Sequence, residues 1–201
     1  MEYLISVGVS LLFAVGFEIV KKSWPTGMTV YKVSCSVGIT ILAFIIAVAY
    51  ANLSMGIVSA ALTVCALSTW LMEGPNINLG FSLFGLAYIL FAVSQFHDEY
   101  ASLLVFAGTL IVFVILYIIA YSHLPAQYRT PLLFYMIGLS VLVGFGVTHS
   151  VLLPVLISVV ISDGVLAIAL FVKDFKFRDF LGISSFAFTS LILPVTYLIV
   201  S

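Results

Sequence analysis

The chain has 201 residues, of which 64% are hydrophobic and only 7% are charged, with a net charge of −1 and a mean hydropathy of +1.32. Soluble domains carry about 25% charged residues, so this composition excludes a soluble domain and predicts an integral membrane protein. The chain lacks the excess of Lys and Arg that binding to nucleic acid requires. The apolar runs show no period-two alternation, which predicts helices rather than a β-barrel.

Eight apolar runs are long enough to cross a bilayer, because a helical span needs about 20 residues. They cover about 3–20, 33–51, 54–72, 79–96, 101–121, 132–148, 151–172 and 181–200. Turn residues separate most of them, but the breaks at "ANLSMG" and "VTHSVLLP" leave room only for tight helical hairpins. We therefore predict an all-α bundle of eight transmembrane helices that forms a single domain over residues 1–201.

The basic residues predict the orientation of this bundle. With eight spans, all seven basic residues fall in the first, fifth and seventh loops: Lys21, Lys22, Lys32, Arg129, Lys173, Lys176 and Arg178. The positive-inside rule then places these loops in the cytoplasm and both termini outside. The start "MEYLIS" has no basic segment before the first span, which indicates a retained anchor rather than a cleaved signal peptide. We expect a multi-pass protein of the plasma membrane.

Asp163 is the one charged residue within the apolar run "LISVVISDGVLAIALF". It lies about nine residues from the cytoplasmic end of its span, which corresponds to a depth of roughly 13 Å. A carboxylate at this depth is costly and usually faces the interior of a bundle, where it marks a site or a pathway. The alternative is a carboxyl group that stabilises helix packing through a hydrogen bond to a neighbouring hydroxyl.

Other polar residues lie at the cytoplasmic ends of the spans and can converge with Asp163 on a cavity. They are Glu18 in span one, Lys32 in span two, Ser68 and Glu73 in span three, and Tyr135 in span six. Each has a structural alternative. Lys32 can extend to the lipid phosphates, Glu18 and Glu73 can be solvated helix ends, and Tyr135 can be an interfacial anchor.

The sequence predicts no metal site and no cofactor. Cys35 and Cys65 lie in apolar runs without the spacing of metal ligands, which is typical of buried thiols. The segment "QFHDEY" combines His97 with two acids, but neighbouring positions point in different directions, so a solvated loop is expected. No GxSxG, HExxH, P-loop or GxGD motif occurs, so the sequence does not support a serine hydrolase, a zinc protease or an NTPase.

Short motifs along the chain resemble the YhhN/TMEM86 family of lysoplasmalogenase-like membrane proteins. The most distinctive is Ser162-Asp163 in "ISDGVLA"; others are Lys32 in "YKVSC", Gly85-Leu86 in "FGLAYILF" and Tyr135 in "LLFYMIG". Thr196 and Tyr197 match a Thr-Tyr pair near the end of span eight. The family pattern differs at three places, where this chain has Val33 after Lys32, Leu67-Ser68 in place of Gly-Asp, and Val93 in place of His.

The resemblance implies eight spans and hydrolysis of the vinyl ether bond of lysoplasmalogens. That chemistry suits two acids, one to protonate the vinyl ether and one to activate water. Here Ser68 stands where the second acid is expected, so Glu18 or Glu73 is a candidate substitute. The predicted catalytic group is Asp163, Glu18 and Ser68, and the predicted lipid-binding group is Lys32, Tyr135, Ser162, Glu73 and Tyr197.

Three functions remain open from the sequence. The first is a lipid hydrolase with Asp163 as the catalytic acid and Lys32 as the partner of the lipid phosphate. The second is a carrier or binding protein for a small apolar or lipid-like solute. The third is a structural or partner-binding member of the same fold. The sequence leaves the oligomeric state open.

Overall fold

The computed structural model describes residues 2–74, 76–94, 103–122, 124–146, 153–171 and 178–200. Over these residues the chain forms eight α-helices and no β-strand, which confirms the predicted all-α fold. The helices are α1 (Glu2–Ser23), α2 (Met28–Ala49), α3 (Leu53–Glu73), α4 (Ile77–Ser94), α5 (Leu103–Tyr121), α6 (Ala126–Gly146), α7 (Leu153–Phe171) and α8 (Arg178–Val200). A short 3-10 turn at Pro25–Gly27 joins α1 to α2.

The outer surface of the bundle is apolar. Ile118 and Ile119 on α5, for example, are 64% and 62% exposed. Five segments of the described chain are long and apolar enough to cross a membrane: Leu4–Ser23, Pro25–Ala49, Leu53–Glu73, Ile77–Ser94 and Ala126–Phe145. An outer surface of this kind suits lipid tails rather than water. The protein is therefore a multi-pass helical membrane protein.

The helices pack in two rows. In the first row α3, α4, α6 and α5 lie side by side, and in the second row α8 lies between α1 and α7. Helix α2 contacts both α3 and α8 and so connects the two rows. Fully buried side chains from both rows form the core, among them Leu62, Phe91, Leu142, Val155 and Ile192.

A tight hairpin connects α2 to α3, as the break at "ANLSMG" predicts. The N–H groups of Ala51 and Asn52 donate to the carbonyls of Val48 and Ala47 at 3.4 and 3.0 Å, which terminates α2 in a Schellman motif. Ala51 has a φ of 48°, so an alanine occupies the left-handed position that glycine usually takes. The side chain of Asn52 then accepts a hydrogen bond from the N–H of Met55 and caps α3. Most of the second predicted hairpin, "VTHSVLLP", lies outside the described residues.

Two glycines bring α4 and α6 into backbone contact. A β-carbon on Gly85 would lie 2.6 Å from the carbonyl oxygen of Phe134, and one on Gly138 would collide with the backbone of Gly85. Small residues allow membrane helices to approach closely, and packing is the main force that holds such helices together. The close contact between α4 and α6 positions the side chains one turn away from each glycine.

Candidate functional site

Asp163 on α7 accepts hydrogen bonds from Tyr88 on α4. The Tyr88 hydroxyl lies 3.1 Å from Oδ1 and 3.0 Å from Oδ2 of the carboxyl group. Tyr135 on α6 packs against the ring of Tyr88 and so lies next to this pair. We call Asp163, Tyr88 and Tyr135 the carboxyl–tyrosine cluster. Its hydroxyl groups take the place of water around a carboxyl group inside the bundle, which lowers the cost of burying it.

The glycine contact explains why the two tyrosines meet. Tyr88 follows Gly85 by three residues and Tyr135 precedes Gly138 by three, so each tyrosine lies on the same helix face as its glycine. Both side chains are buried, and their ring centroids are 5.7 Å apart. The edge of the Phe81 ring packs against Tyr135 at 5.9 Å and fixes that ring further.

A cavity of about 400 Å³ opens beside this cluster, between helices of both rows. This volume lies within the range of small-molecule binding sites. Most of its wall is apolar or aromatic, from Phe13, Ile39, Met72, Ile77, Phe84, Val165, Ile183, Phe186 and Ala187. Its polar lining consists of Tyr31, Lys32, Cys35, Thr69, Glu73, Ser162 and Asp179. An apolar wall with charged groups at one end suits an amphiphilic ligand.

Two ion pairs lie at the charged end of the cavity. Lys32 on α2 pairs with Glu73 at the end of α3, and its ammonium group also lies 5.0 Å from the centre of the Phe17 ring. Lys21 at the end of α1 pairs with Asp179 at the start of α8 at 2.6 Å. These pairs lie at the end of the bundle where α1 and α3 end and where α2 and α8 begin, which we call the basic end.

Phe84 and Ser162 separate the cavity from the carboxyl–tyrosine cluster. The Phe84 ring lies 6.2 Å from that of Tyr88 and 6.3 Å from that of Phe186, and both phenylalanines line the cavity. Ser162 lines the cavity, whereas its neighbour Asp163 is not among the lining residues. Access from the cavity to the carboxyl group therefore requires movement of this thin wall.

The structure brings together part of the site that the sequence predicts. Lys32, Glu73 and Ser162 share the cavity, and Tyr135 joins Asp163 in the cluster. Ser68 is fully buried and donates a hydrogen bond to the carbonyl of Gly80, so its hydroxyl ties α3 to α4.

The other predicted residues lie elsewhere. Glu18 is half-buried on α1 and does not line the cavity. Tyr197 belongs to α8, but its side chain lies outside the described residues, as do His97, Asp98, Glu99, His123 and His149. Of the two thiols, Cys65 is buried as expected, whereas Cys35 is half-buried and faces the cavity.

Tyr88, Phe84 and Asp179 are the site residues that sequence reasoning missed. Tyr88 lies in "FGLAYILF", an apolar run in which a tyrosine looks like one more core residue. The three-residue spacing from Gly85 to Tyr88 indicates that Tyr88 belongs to the site only if the helix that packs against Gly85 is already known. Asp179 lies in the charged loop segment "KDFKFRD", where it is easily taken for a solvated residue.

A helical membrane bundle with a charged cavity defines the broad class of this protein. Comparison with protein-family models is more specific, since the model of the YhhN family matches residues 29–196. The chain therefore belongs to the YhhN family, as its short motifs predict. Searches of curated proteins and of solved structures gave no significant match.

Proposed function

We propose that this protein is a membrane-embedded hydrolase that cleaves the vinyl ether bond of a lysoplasmalogen or a related lysolipid. The observation that carries the proposal is the position of a hydrogen-bonded carboxyl group directly behind the wall of an amphipathic cavity. Membership of the YhhN family and the resemblance to lysoplasmalogenase-like proteins support the same reaction.

The cavity fits a lipid with one chain. The ammonium group of Lys32 binds the phosphate of the headgroup, and its ion pair with Glu73 breaks when the lipid binds. The hydrocarbon chain then lies along Phe84, Ile183 and Phe186 toward the middle of the bundle. The vinyl ether bond, which joins the hydrocarbon chain to the glycerol, then lies beside Ser162, the neighbour of Asp163.

Asp163 provides the acid for this reaction. The proton of its carboxyl group adds to the vinyl carbon that bears no oxygen and leaves an oxocarbenium ion. Water bonds to the oxygen-bearing carbon of this ion and returns a proton to the Asp163 carboxylate. The bond from the resulting hemiacetal carbon to the glycerol oxygen then breaks, as the hemiacetal hydroxyl group loses its proton and the glycerol oxygen gains one. The products are a fatty aldehyde and the glycerophospho-headgroup.

One carboxyl group serves both steps in this scheme. Ser68, which replaces the expected second acid, is bonded to Gly80, and Glu73 is paired with Lys32 at the basic end. Because water returns the proton that Asp163 has given up, the group is regenerated without a second acid. Tyr88 and Tyr135 hold the carboxyl group in place through both steps.

The experiment is a turnover assay on purified protein with lysoplasmalogen, acyl lysophospholipid and alkyl lysophospholipid. We expect aldehyde from the vinyl ether lipid alone, and a loss of about 100-fold or more in Asp163→Asn. Ser140→Ala removes a buried hydroxyl on α6 that lines none of the described cavities, and it serves as the control for folding. Wild-type protein that releases no aldehyde from any of these lipids contradicts the proposal.

The position of Asp163 behind the wall favours a second candidate function, a carrier or binding protein for a lipid-like solute. In that case the cavity binds the solute and Asp163 responds to it through Ser162 or Phe84. This candidate predicts saturable binding of lysolipid without aldehyde, and uptake of solute into proteoliposomes that Asp163→Asn abolishes. Binding of lysolipid together with release of aldehyde would rule out the carrier and support the hydrolase.

We also propose that the described helices belong to one transmembrane domain in the plasma membrane, with the basic end in the cytoplasm. The support is the meeting of Lys21, Lys22 and Lys32 at one end of the bundle and the positive-inside rule. Cysteines introduced at Thr26 and at Ala51 test the orientation. A membrane-impermeant thiol reagent on intact cells should label the second and spare the first.

A further inference from the structure

The space between the two rows of helices is closed less tightly at one side than at the other. Helix α2 closes one side through its contacts with both α3 and α8. At the other side α6 meets α7, and over the described residues this contact is much smaller than that of α7 with α8. We call the boundary between α6 and α7 the α6–α7 seam. Because consecutive helices are antiparallel, α6 begins at the basic end of the bundle and α7 ends there.

Far from the basic end, the seam is closed. The side chains that close it are at most 6% exposed and belong to one core cluster: Leu139 and Leu142 on α6, and Val155 and Val159 on α7.

Closer to the basic end, the same faces of both helices are less well covered. Leu132 and Met136 lie on the same face of α6 as Leu139, two turns and one turn nearer to that end, and both are only partly buried. On α7 the change falls between Val159 and Asp163, one turn later, which is also only partly buried. The two helices therefore diverge toward the basic end, and the seam opens at the level of Asp163.

The exposed part of Asp163 faces this seam. Asp163 does not line the cavity, which Ser162 and Val165 border on one side of α7. Val160 lies one turn before Asp163 on the other side of α7, and it is 54% exposed on the outer surface of the bundle. The carboxyl group thus lies where the interior of the bundle meets the lipid.

The cavity is too short to hold a complete lysolipid. Its lining on α8 extends from Asp179 to Ala187, which is about 12 Å at a rise of about 1.5 Å per residue. A lipid chain alone spans one leaflet, which is about 15 Å of hydrocarbon. With the phosphate at Lys32, most of the chain has to leave the cavity at its inner end.

We propose that the α6–α7 seam is a lateral entry through which the hydrocarbon chain of a bilayer lipid reaches Asp163. The headgroup occupies the cavity, the vinyl ether bond lies at the wall of Phe84 and Ser162, and the rest of the chain stays in the seam and in the leaflet beyond it. The identity of this lipid as a substrate rests on the proposed function, whereas the binding of a lipid chain in the seam does not.

The chemistry of the seam fits this occupant. Leu132 and Met136 offer only apolar atoms, which suit a hydrocarbon chain and exclude a headgroup. A lipid that already lies in the bilayer can move sideways into the seam, so its chain never has to pass through water.

Photolabelling tests the seam without turnover. The probe is an alkyl lysophospholipid, which has no vinyl ether bond, with a diazirine near the methyl end of its chain. We expect adducts on Leu132 and Met136 that an excess of unlabelled alkyl lysophospholipid suppresses. Adducts on Ile118 of α5, which is 64% exposed to bulk lipid, should persist. Absence of suppressible adducts on the seam, as when a second copy of the chain covers it, overturns the proposal.

Kinetics test the seam as the route of the substrate. Met136→Trp fills the seam, and Ile137→Trp is the matched control, since Ile137 is the next residue of α6 and is 39% exposed on another face. Met136→Trp should raise the KM for a long-chain lysoplasmalogen about tenfold, but not that for an analogue whose alkenyl chain has only four carbons and fits the cavity. The same KM change for both substrates, or none, contradicts this route.

The two tests separate the possible failures. If Met136→Trp unfolds at a lower temperature than Ile137→Trp, the labelling of the wild-type protein still decides whether a lipid chain binds in the seam. If the wild type releases no aldehyde, the hydrolase proposal fails, and the same labelling decides the lateral entry by itself.

Discussion

The backbone contact between α4 and α6 predicts that Gly85→Ala destabilises the bundle. The new β-carbon would lie 2.6 Å from the carbonyl oxygen of Phe134 and 3.0 Å from the Cα of Tyr135. These are backbone atoms of a helix, so no side-chain rotation can relieve the contact. The two helices must separate by roughly 1 Å to reach ordinary van der Waals distance.

The cost has two parts. Overpacking of a close contact costs about 1–3 kcal/mol, and the loss of an ordinary hydrogen bond costs about 0.5–1.5 kcal/mol. The second part applies because separation of α4 from α6 moves Tyr88 relative to Tyr135 and Asp163. Replacement of a helical glycine by alanine also stabilises the helix itself by about 1 kcal/mol, which offsets part of this cost. We expect a net loss of about 2 kcal/mol, which lowers the Tm by roughly 4–8 °C for a chain of this size.

Thermal unfolding of detergent-purified protein measures this effect. Gly38→Ala on α2 is the matched control, since a β-carbon there would meet no atom within 4 Å. Gly138→Ala alters the same contact from the other side, so the double substitution should cost less than the sum of the single ones. Equal Tm values for Gly85→Ala and Gly38→Ala would refute the glycine contact as the feature that positions the two tyrosines.

Three further substitutions test separate features. Ala51→Gly should stabilise the protein by about 1 kcal/mol in denaturant unfolding, because it removes the cost of a left-handed alanine at φ 48°; an unchanged or lower stability contradicts that geometry. Ser68→Ala should lower the free energy of unfolding by about 1 kcal/mol, because the hydrogen bond to the Gly80 carbonyl is lost, and it should leave kcat unchanged. A loss of kcat with normal stability would instead support Ser68 as a catalytic residue. Glu73→Gln should lower the KM for lysolipid by up to roughly fivefold, because Lys32 then binds the phosphate without competition from a carboxylate. A higher KM would show that Glu73 itself binds the headgroup.

The class of fold follows from the sequence because long apolar runs allow few structures. A chain that is apolar on every face must satisfy its backbone hydrogen bonds within each helix, and turn residues then show where helices end. The ends themselves are less predictable. Helix α2 begins at Met28, ahead of Lys32. The sequence places its start later because the first turn contains polar residues, which belong to no apolar run.

The candidate site was predictable where a charge stood out or where a short motif resembled the family, as for Ser162 and Tyr135. Asp163, Lys32 and Glu73 stand out in an apolar chain, with Asp163 near the middle of its span and the other two at the cytoplasmic ends of theirs. The partner of Asp163 did not stand out, because Tyr88 reaches it only through the pairing of α4 with α6 and the placement of α7 next to α6. Those helices are not all neighbours in sequence, and periodicity along one helix carries no information on which helix it faces.

The packing of α1 against α8 has a consequence for how the protein is made. A chain that enters the bilayer from its N-terminus leaves α1 without this neighbour until α8 has been inserted. During that interval the serines Ser6 and Ser10, which are buried in the finished bundle, lack the neighbour that helps to bury them. The cavity takes lining residues from both helices, Phe13 on α1 and Phe186 on α8, so its wall is complete only once α8 has been inserted.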